Sequence, residues 1–120
     1  MVDNIDGACA ELSRWLQHDA MRTRRIVAAF HRSTVRELLA MEHAAARGEW
    51  GEVRRRADRI SMGCLHVGEG RAAACLEPLL EAQFGFSLKA LYFASYAPRR
   101  GSLLRLVERA ASVAMGETFA

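Results

Sequence analysis

Lysine is almost absent from this chain. Lys89 is the only one, although lysine and arginine together number 17 and the net charge is +3. An arginine-rich, lysine-poor composition has two interpretations: a basic surface for an acidic partner, or the codon bias of a high-GC bacterial genome. The excess charge is small beside that of a protein that binds nucleic acid through a basic stripe. The composition therefore argues against a nucleic-acid partner.

Cysteine is also scarce, and long apolar runs are missing. The three cysteines, Cys9, Cys64 and Cys75, are odd in number and show no C-x-x-C spacing, which argues against a disulfide framework or a zinc site. Cys64 and Cys75 fall on apolar helix faces and are expected to be small core residues. No stretch resembles a signal peptide or a membrane span. We expect a cytoplasmic protein with no membrane partner, no metal and no cofactor.

Proline is the third scarce residue, with two in 120 residues, and alanine is abundant. Both features favour helix throughout. The chain is 51% apolar and 26% charged, an ordinary globular balance, and its length fits one domain with one core. The sequence therefore predicts a single all-α domain over residues 1–120.

The two central helices have the clearest apolar periodicity. A long helix is predicted from Ala20, capped by Asp19, to Arg47, with Gly48 ending it. Its apolar stripe at three- and four-residue steps is Ile26, Phe30, Thr34, Leu38, Met41 and Ala45. The next helix begins near Glu49 and ends at Gly68. Its stripe has no interruption and is expected to be buried: Trp50, Val53, Ala57, Ile60, Cys64 and Val67.

Weaker patterns flank this pair. A short first helix is predicted from Asp6 to Gln17, and a fourth begins near Arg71 and is kinked or split by Pro78. A fifth helix is expected from Ser87 to Tyr96, then a loop over 97–101 and a last helix capped by Ser102, with residues 103, 106, 107 and 110 inward. Short connections between amphipathic helices predict an antiparallel up-down four-helix bundle with additional N-terminal and C-terminal helices.

The segment GEWGEVRRRADRISMGCLHVGEGRAAACLE, residues 48–77, resembles the histidine-phosphotransfer (HPt) domain. That family typically reads G-D-W, an arginine- and leucine-rich turn, then A-H-x-L-K-G-S-A-x-x-L-G-A. Trp50 matches the tryptophan and Gly68 the last glycine, and counting from either anchor places Asp58 at the phospho-accepting histidine. Ala57 and Ile60 match as well. The resemblance spans about 20–80 and implies a protein of bacterial two-component signalling.

Three departures from the family pattern occur together. Asp58 replaces the histidine, Ser61 replaces the lysine three residues later, and Met62 replaces the glycine four residues later. Aspartate has no ring nitrogen to accept a phosphoryl group, and Met62 lies one helical turn from Asp58 on the same face. The resemblance therefore implies a pseudo-HPt protein that is not an enzyme. It would bind a response-regulator receiver domain or a histidine kinase without relaying phosphate.

Helical spacing gives the candidate binding face independently. At about 100° per residue, several side chains point away from the buried stripe, with Leu65 on the flank. The predicted partner-binding residues are Arg55, Asp58, Arg59, Met62, Leu65 and His66. An exposed methionine suits adaptable docking, although a single exposed apolar side chain is also common on ordinary surfaces.

Four arginines near Asp58 have two interpretations. Arg54, Arg55, Arg56 and Arg59 form either a basic collar for the acidic pocket of a receiver domain or a solvated face with weak arginine–aspartate pairs. We favour the collar.

Two other functions remain open. His66 shares the outward face and could be the phosphosite of an active phosphotransfer protein, although Glu69 then stands where a positive charge is expected. The chain could instead be a helical adaptor that binds an unrelated protein. The adaptor needs an apolar patch away from Asp58, for instance on the segment 84–96.

Overall fold

The computed structural model describes residue 14 and residues 16–17, 19–82 and 85–114, and within these ranges the chain is all-helical with no strand. This confirms the all-α class. The predicted helix from Asp6 to Gln17 lies outside the described residues, except for Arg14, Leu16 and Gln17. The helices are α1 (Ala20–Ala46), α2 (Trp50–His66), α3 (Gly70–Ala74), α4 (Glu77–Glu81), α5 (Gly85–Leu91) and α6 (Ala97–Ala114), with a π-helical turn at Tyr92–Tyr96 between the last two.

Helices α1 and α2 form an antiparallel hairpin. The Asp19 side chain accepts a hydrogen bond from the Arg22 backbone N–H at 3.1 Å, so the predicted N-cap of α1 is confirmed. Gly48 and Gly68 have φ angles of 73° and 79°, in the left-handed region that favours glycine. These two glycines end α1 and α2, as the sequence predicted, and reverse the chain direction.

The core is formed by the predicted stripes with two corrections. Val53, Ala57, Ile60, Cys64 and Val67 are all buried. Trp50, the first residue of that stripe, is only half-buried and packs against the edge of the core and against Tyr92 and Phe93 of the π turn. Ile26 was predicted to face inward but is 39% exposed, and Val27 is buried in its place. The stripe of α1 turns gradually around the axis because the helix has 3.6 residues per turn, and Ile26 is left on its edge.

Pro78 splits the fourth helix, as predicted. α3 ends at Ala74, and α4 begins at Glu77 with Pro78 in its first turn, where a missing backbone N–H costs nothing. The inward residues on both sides of the break are buried as expected: Ala72, Cys75, Leu76, Leu79 and Ala82.

The C-terminal part of the chain was predicted wrongly in its local structure. Residues 97–101 are helical rather than a loop, and neither Ser87 nor Ser102 begins a helix. The physical reason is the π turn, in which the Ala97 N–H donates to the Tyr92 carbonyl five residues earlier. Pro98 follows at once. A proline ring normally clashes with the carbonyl four residues before it, and the wider turn lets the helix continue past this proline.

A polar cluster fixes this turn to α1. The buried Tyr96 hydroxyl donates to Glu42 Oε2 at 2.8 Å. Arg100 donates from Nε to the same oxygen and from Nη2 to Oε1, the latter at 3.2 Å. Burial raises the pKa of Tyr96, and its hydrogen bond to Glu42 raises it further. Both oxygens of Glu42 are therefore used to hold the π turn against the long helix.

The buried Cys64 thiol makes stability sensitive to alkaline pH. Burial raises the pKa of Cys64 from an ordinary value of 9.0 to about 12, and the Glu69 carboxylate adds to the rise. The thiol contribution to the free energy of unfolding is complete below pH 9.0 and is lost as the pH rises through about 12. In this range the unfolded chain has already released the proton that the folded chain retains. The slope for one such group is at most about 1.4 kcal/mol per pH unit.

We expect the free energy of unfolding to fall more gently above pH 9.0 in Cys64→Ala than in the unaltered protein. Urea denaturation at several pH values between 8 and 11 measures both slopes. The cavity left by the substitution lowers stability at every pH, so only the slope is diagnostic. Parallel curves for the two proteins would show that the Cys64 thiol ionises equally in the folded and unfolded states.

Candidate interaction face on α2

The outward side of α2 is exposed along its length. Arg55, Asp58, Arg59 and His66 are exposed, and Met62 and Leu65 have 51% and 58% of their surface accessible. The periodicity of the sequence thus places these six side chains correctly on one exposed face. We call this set the Asp58 face. It combines charged groups with two large apolar side chains on one helix.

The residues that depart from the family pattern lie in different environments. Asp58 and Met62 are exposed, whereas Ser61 is 6% exposed and faces the interior. Ser61 therefore does not supply the positive charge that the family's lysine has at this position. Gly63 packs beside Phe30 of α1, where an added Cβ would make ordinary contacts at 3.8 Å. Gly63 is therefore at the α1–α2 contact rather than beside Asp58.

The four arginines do not surround Asp58 equally. Arg55 pairs with Glu52, and Arg59 Nη1 lies 3.7 Å from Glu37 Oε2. Arg56 is turned away from the face, donating to Glu52 at 2.7 Å and to Glu37 at 3.0 Å. Among the described residues, no ion pair includes Asp58. The predicted collar is corrected accordingly, because two glutamates partly neutralise it and Arg56 belongs to the helix contact.

These pairs shift the ionisation of the groups that make them. The hydrogen bond from Arg56, followed by that from Arg55, holds the pKa of Glu52 below its ordinary value. Hydrogen bonds to Glu37 and Glu52 raise the pKa of Arg56. Glu52 and Arg56 are therefore both charged at neutral pH. Their partly exposed ion pair contributes little to stability.

A shallow depression beside Asp58 connects α2 with the end of α4. It has a volume of about 330 Å³ and is lined by Gly51, Arg54, Arg55, Asp58 and Leu80. Arg54 donates to the backbone carbonyls of Leu80, at 2.9 Å, and Ala82. These carbonyls end a helix and carry partial negative charge, so the guanidinium caps them. Arg54 is therefore a structural residue that fixes α4 beside the face.

A larger groove runs between α1 and α2. Its volume is about 390 Å³, and apolar side chains of both helices form its floor, with Glu37, Arg59 and His66 at the sides. His66 is the last residue of α2, and Glu69, three residues later, is buried. The structure thus places His66 at one end of the groove, one turn beyond Met62.

An aromatic cluster on the opposite flank of α2 was not predicted from the sequence. The Tyr92 ring makes edge contacts with Trp50 and Phe93, with centroid separations of 5.6 and 5.1 Å. Phe93 is 58% exposed. Trp50 was assigned to the core stripe and Phe93 to a helix interior. In the structure the rings of Trp50 and Phe93 make an edge contact, with their centroids 6.3 Å apart.

Comparison with family models, with curated proteins and with solved structures finds no match for this chain. Within the described ranges no three His, Cys, Asp or Glu side chains are arranged to hold a metal ion. None of the described helices is long and apolar enough to cross a membrane.

Proposed function

We propose that this chain is a pseudo-HPt protein that binds a receiver domain or a histidine kinase through its Asp58 face and does not accept phosphate. The observation that carries the proposal is the exposure of Met62 and Leu65 beside Asp58, at the positions where the HPt resemblance places partner contact. An aspartate at the acceptor position cannot form a phosphohistidine, whereas an apolar contact surface remains available for binding.

The finer fold belongs to the same proposal. Helices α1, α2, the α3–α4 pair and the α5–α6 region would correspond to the four helices of an HPt-like antiparallel bundle. The α1–α2 hairpin and the contacts of α6 with α1 support this arrangement. The unusual elements are the break at Pro78 and the π turn before Pro98.

Phosphate uptake tests the chemical half of the proposal. Incubated with an autophosphorylating histidine kinase and a receiver domain, the protein should acquire no acid-labile phosphate, because Asp58 lacks the accepting nitrogen. We expect Asp58→His to bind as before and to be phosphorylated poorly, since Ser61 and Met62 still differ from the family. Radiolabel on the unaltered protein that disappears in His66→Ala would instead establish an active relay protein with His66 as phosphosite.

The aromatic cluster supports a second candidate, a helical adaptor for an unrelated protein. Phe93 and Trp50 provide the apolar surface away from Asp58 that this function requires. A substitution distinguishes the two proposed functions. Phe93→Lys should abolish partner binding by an adaptor and leave binding through the Asp58 face unchanged.

A further inference from the structure

The groove between α1 and α2 contains a buried polar group without a hydrogen-bond partner. Thr34 lines the groove and is only 4% exposed. A helical threonine commonly donates to the carbonyl four residues earlier, as Thr23 does to Asp19 at 2.9 Å. In the part of the chain that the structure describes, the Thr34 hydroxyl makes no such bond. A buried hydroxyl without a partner costs free energy, and a bound ligand is one way to satisfy it.

A second donor at the groove is only loosely held. Arg59 Nη1 lies 3.7 Å from Glu37 Oε2, a separation longer than a hydrogen bond. Glu37 has a closer partner, because Arg56 donates to its Oε1 at 3.0 Å. Within the described ranges the Arg59 guanidinium makes no hydrogen bond. Its N–H groups can therefore donate to a ligand while Glu37 keeps its bond from Arg56.

The antiparallel pairing of the two helices places both donors at one end of an elongated groove. Gly63 of α2 faces the Phe30 ring of α1. Four residues from this contact in the same direction, Thr34 and Arg59 lie at the same level along the helix axes. Val67 lines the opposite end. Eight residues of helix separate Arg59 from Val67, a rise of about 12 Å. The groove volume of about 390 Å³ is that of an ordinary ligand pocket.

We propose that this groove binds a carboxylate with an unbranched apolar chain, such as a medium-chain fatty acid. The carboxylate lies between Thr34 and Arg59, and the chain extends along the apolar floor towards Val67. A hydroxyl and a guanidinium at one end match the acceptor oxygens of a carboxylate. The methylene groups are removed from water along the floor. This site goes beyond the proposed function and does not depend on it, because it is tested with the protein alone.

Titration of sodium octanoate into the ¹⁵N-labelled protein tests the site. We expect saturable shifts of backbone amide signals in residues 26–37 and 59–67. Octanol has a chain of the same length without the charge. It should bind at least about tenfold more weakly, because it cannot accept a charged hydrogen bond from Arg59 as a carboxylate does.

Three substitutions show which groups hold the carboxylate. Thr34→Val keeps the shape of the side chain and removes its donor, so octanoate should bind about fivefold more weakly. The unfolding temperature of this variant without ligand should not fall, because a methyl group replaces a buried hydroxyl that has no partner. A structural role would lower it. Arg59→Gln should weaken binding by at least about tenfold. Arg36→Gln removes the same charge at an exposed position of α1 and should leave the affinity unchanged.

Gly63→Leu tests whether the ligand occupies the groove itself. An added Cβ at Gly63 would make an ordinary contact with Phe30 at 3.8 Å, and leucine favours helix more than glycine does. The variant should therefore fold, as circular dichroism can verify, and its side chain should abolish octanoate binding by filling the groove.

Four results would overturn the site. They are no saturable shift or shifts located elsewhere, octanol binding as tightly as octanoate, unchanged affinity in both Thr34→Val and Arg59→Gln, and an equal loss of affinity in Arg36→Gln. The last result would indicate non-specific attraction of the anion to a basic protein.

Discussion

Glu42→Ala is expected to lower the free energy of unfolding by about 2–3 kcal/mol. The substitution leaves the hydroxyl of Tyr96, a residue that is 1% exposed, without its acceptor, and it removes both oxygens that accept from Arg100. A buried hydroxyl that loses its partner pays most of its desolvation free energy without compensation. Chemical denaturation followed by circular dichroism measures the change.

Tyr96→Phe is the matched control for this cluster. It removes the buried donor together with its hydrogen bond, while Glu42 keeps Arg100 as its partner, so the loss should be smaller, about 1 kcal/mol. The double variant separates the Tyr96 contribution from that of Arg100. If Glu42→Ala were no more destabilising than an exposed substitution such as Arg36→Ala, the cluster would not hold the π turn against α1.

Met62→Lys is expected to give the largest loss of partner affinity. If Met62 is desolvated when the partner binds, Met62→Ala should cost about 1–2 kcal/mol, mainly through a faster off-rate. Lysine at the same position should cost more, because it places an unpaired charge in the contact. We therefore expect Met62→Lys to raise the Kd for a receiver domain by more than about tenfold, as measured by calorimetry.

Matched variants show whether position matters rather than charge. Met21 on α1 is 62% exposed, and Met21→Lys should leave affinity unchanged. The double variant Arg55→Glu with Arg59→Glu should lower the on-rate and its salt dependence. Thermal stability should change little in all of these proteins, because the positions are exposed. Unchanged affinity in Met62→Lys and in the double arginine variant would show that the partner does not bind the Asp58 face. That result would favour the adaptor function.

The helices with uninterrupted periodicity were predictable, and their exposed faces with them. The stripe from Val53 to Val67 is buried as predicted because a three–four repeat defines one side of a straight helix. Helix ends at Gly48 and Gly68 followed from the same local rules, since both need a left-handed backbone. These features depend on interactions between residues close together in the sequence, and such interactions can be predicted from the sequence directly.

The errors fall where distant contacts override local preference. Pro98 and Gly101 read as a loop, yet the π turn and its anchor on Glu42, 54 residues before Tyr96, keep the chain helical. The prediction of an arginine collar around Asp58 was wrong for the same reason. Arg56 pairs with Glu37 of α1, which lies 19 residues before it in the sequence.

An NMR titration of the ¹⁵N-labelled protein with receiver domains encoded in the same genome tests the central claim most directly. We expect saturable shifts on the Asp58 face, strongest around Met62 and Leu65, with no phosphate added and none transferred. Shifts confined to Trp50 and Phe93, or saturable transfer of phosphate to His66 from a phosphorylated receiver, would contradict the account.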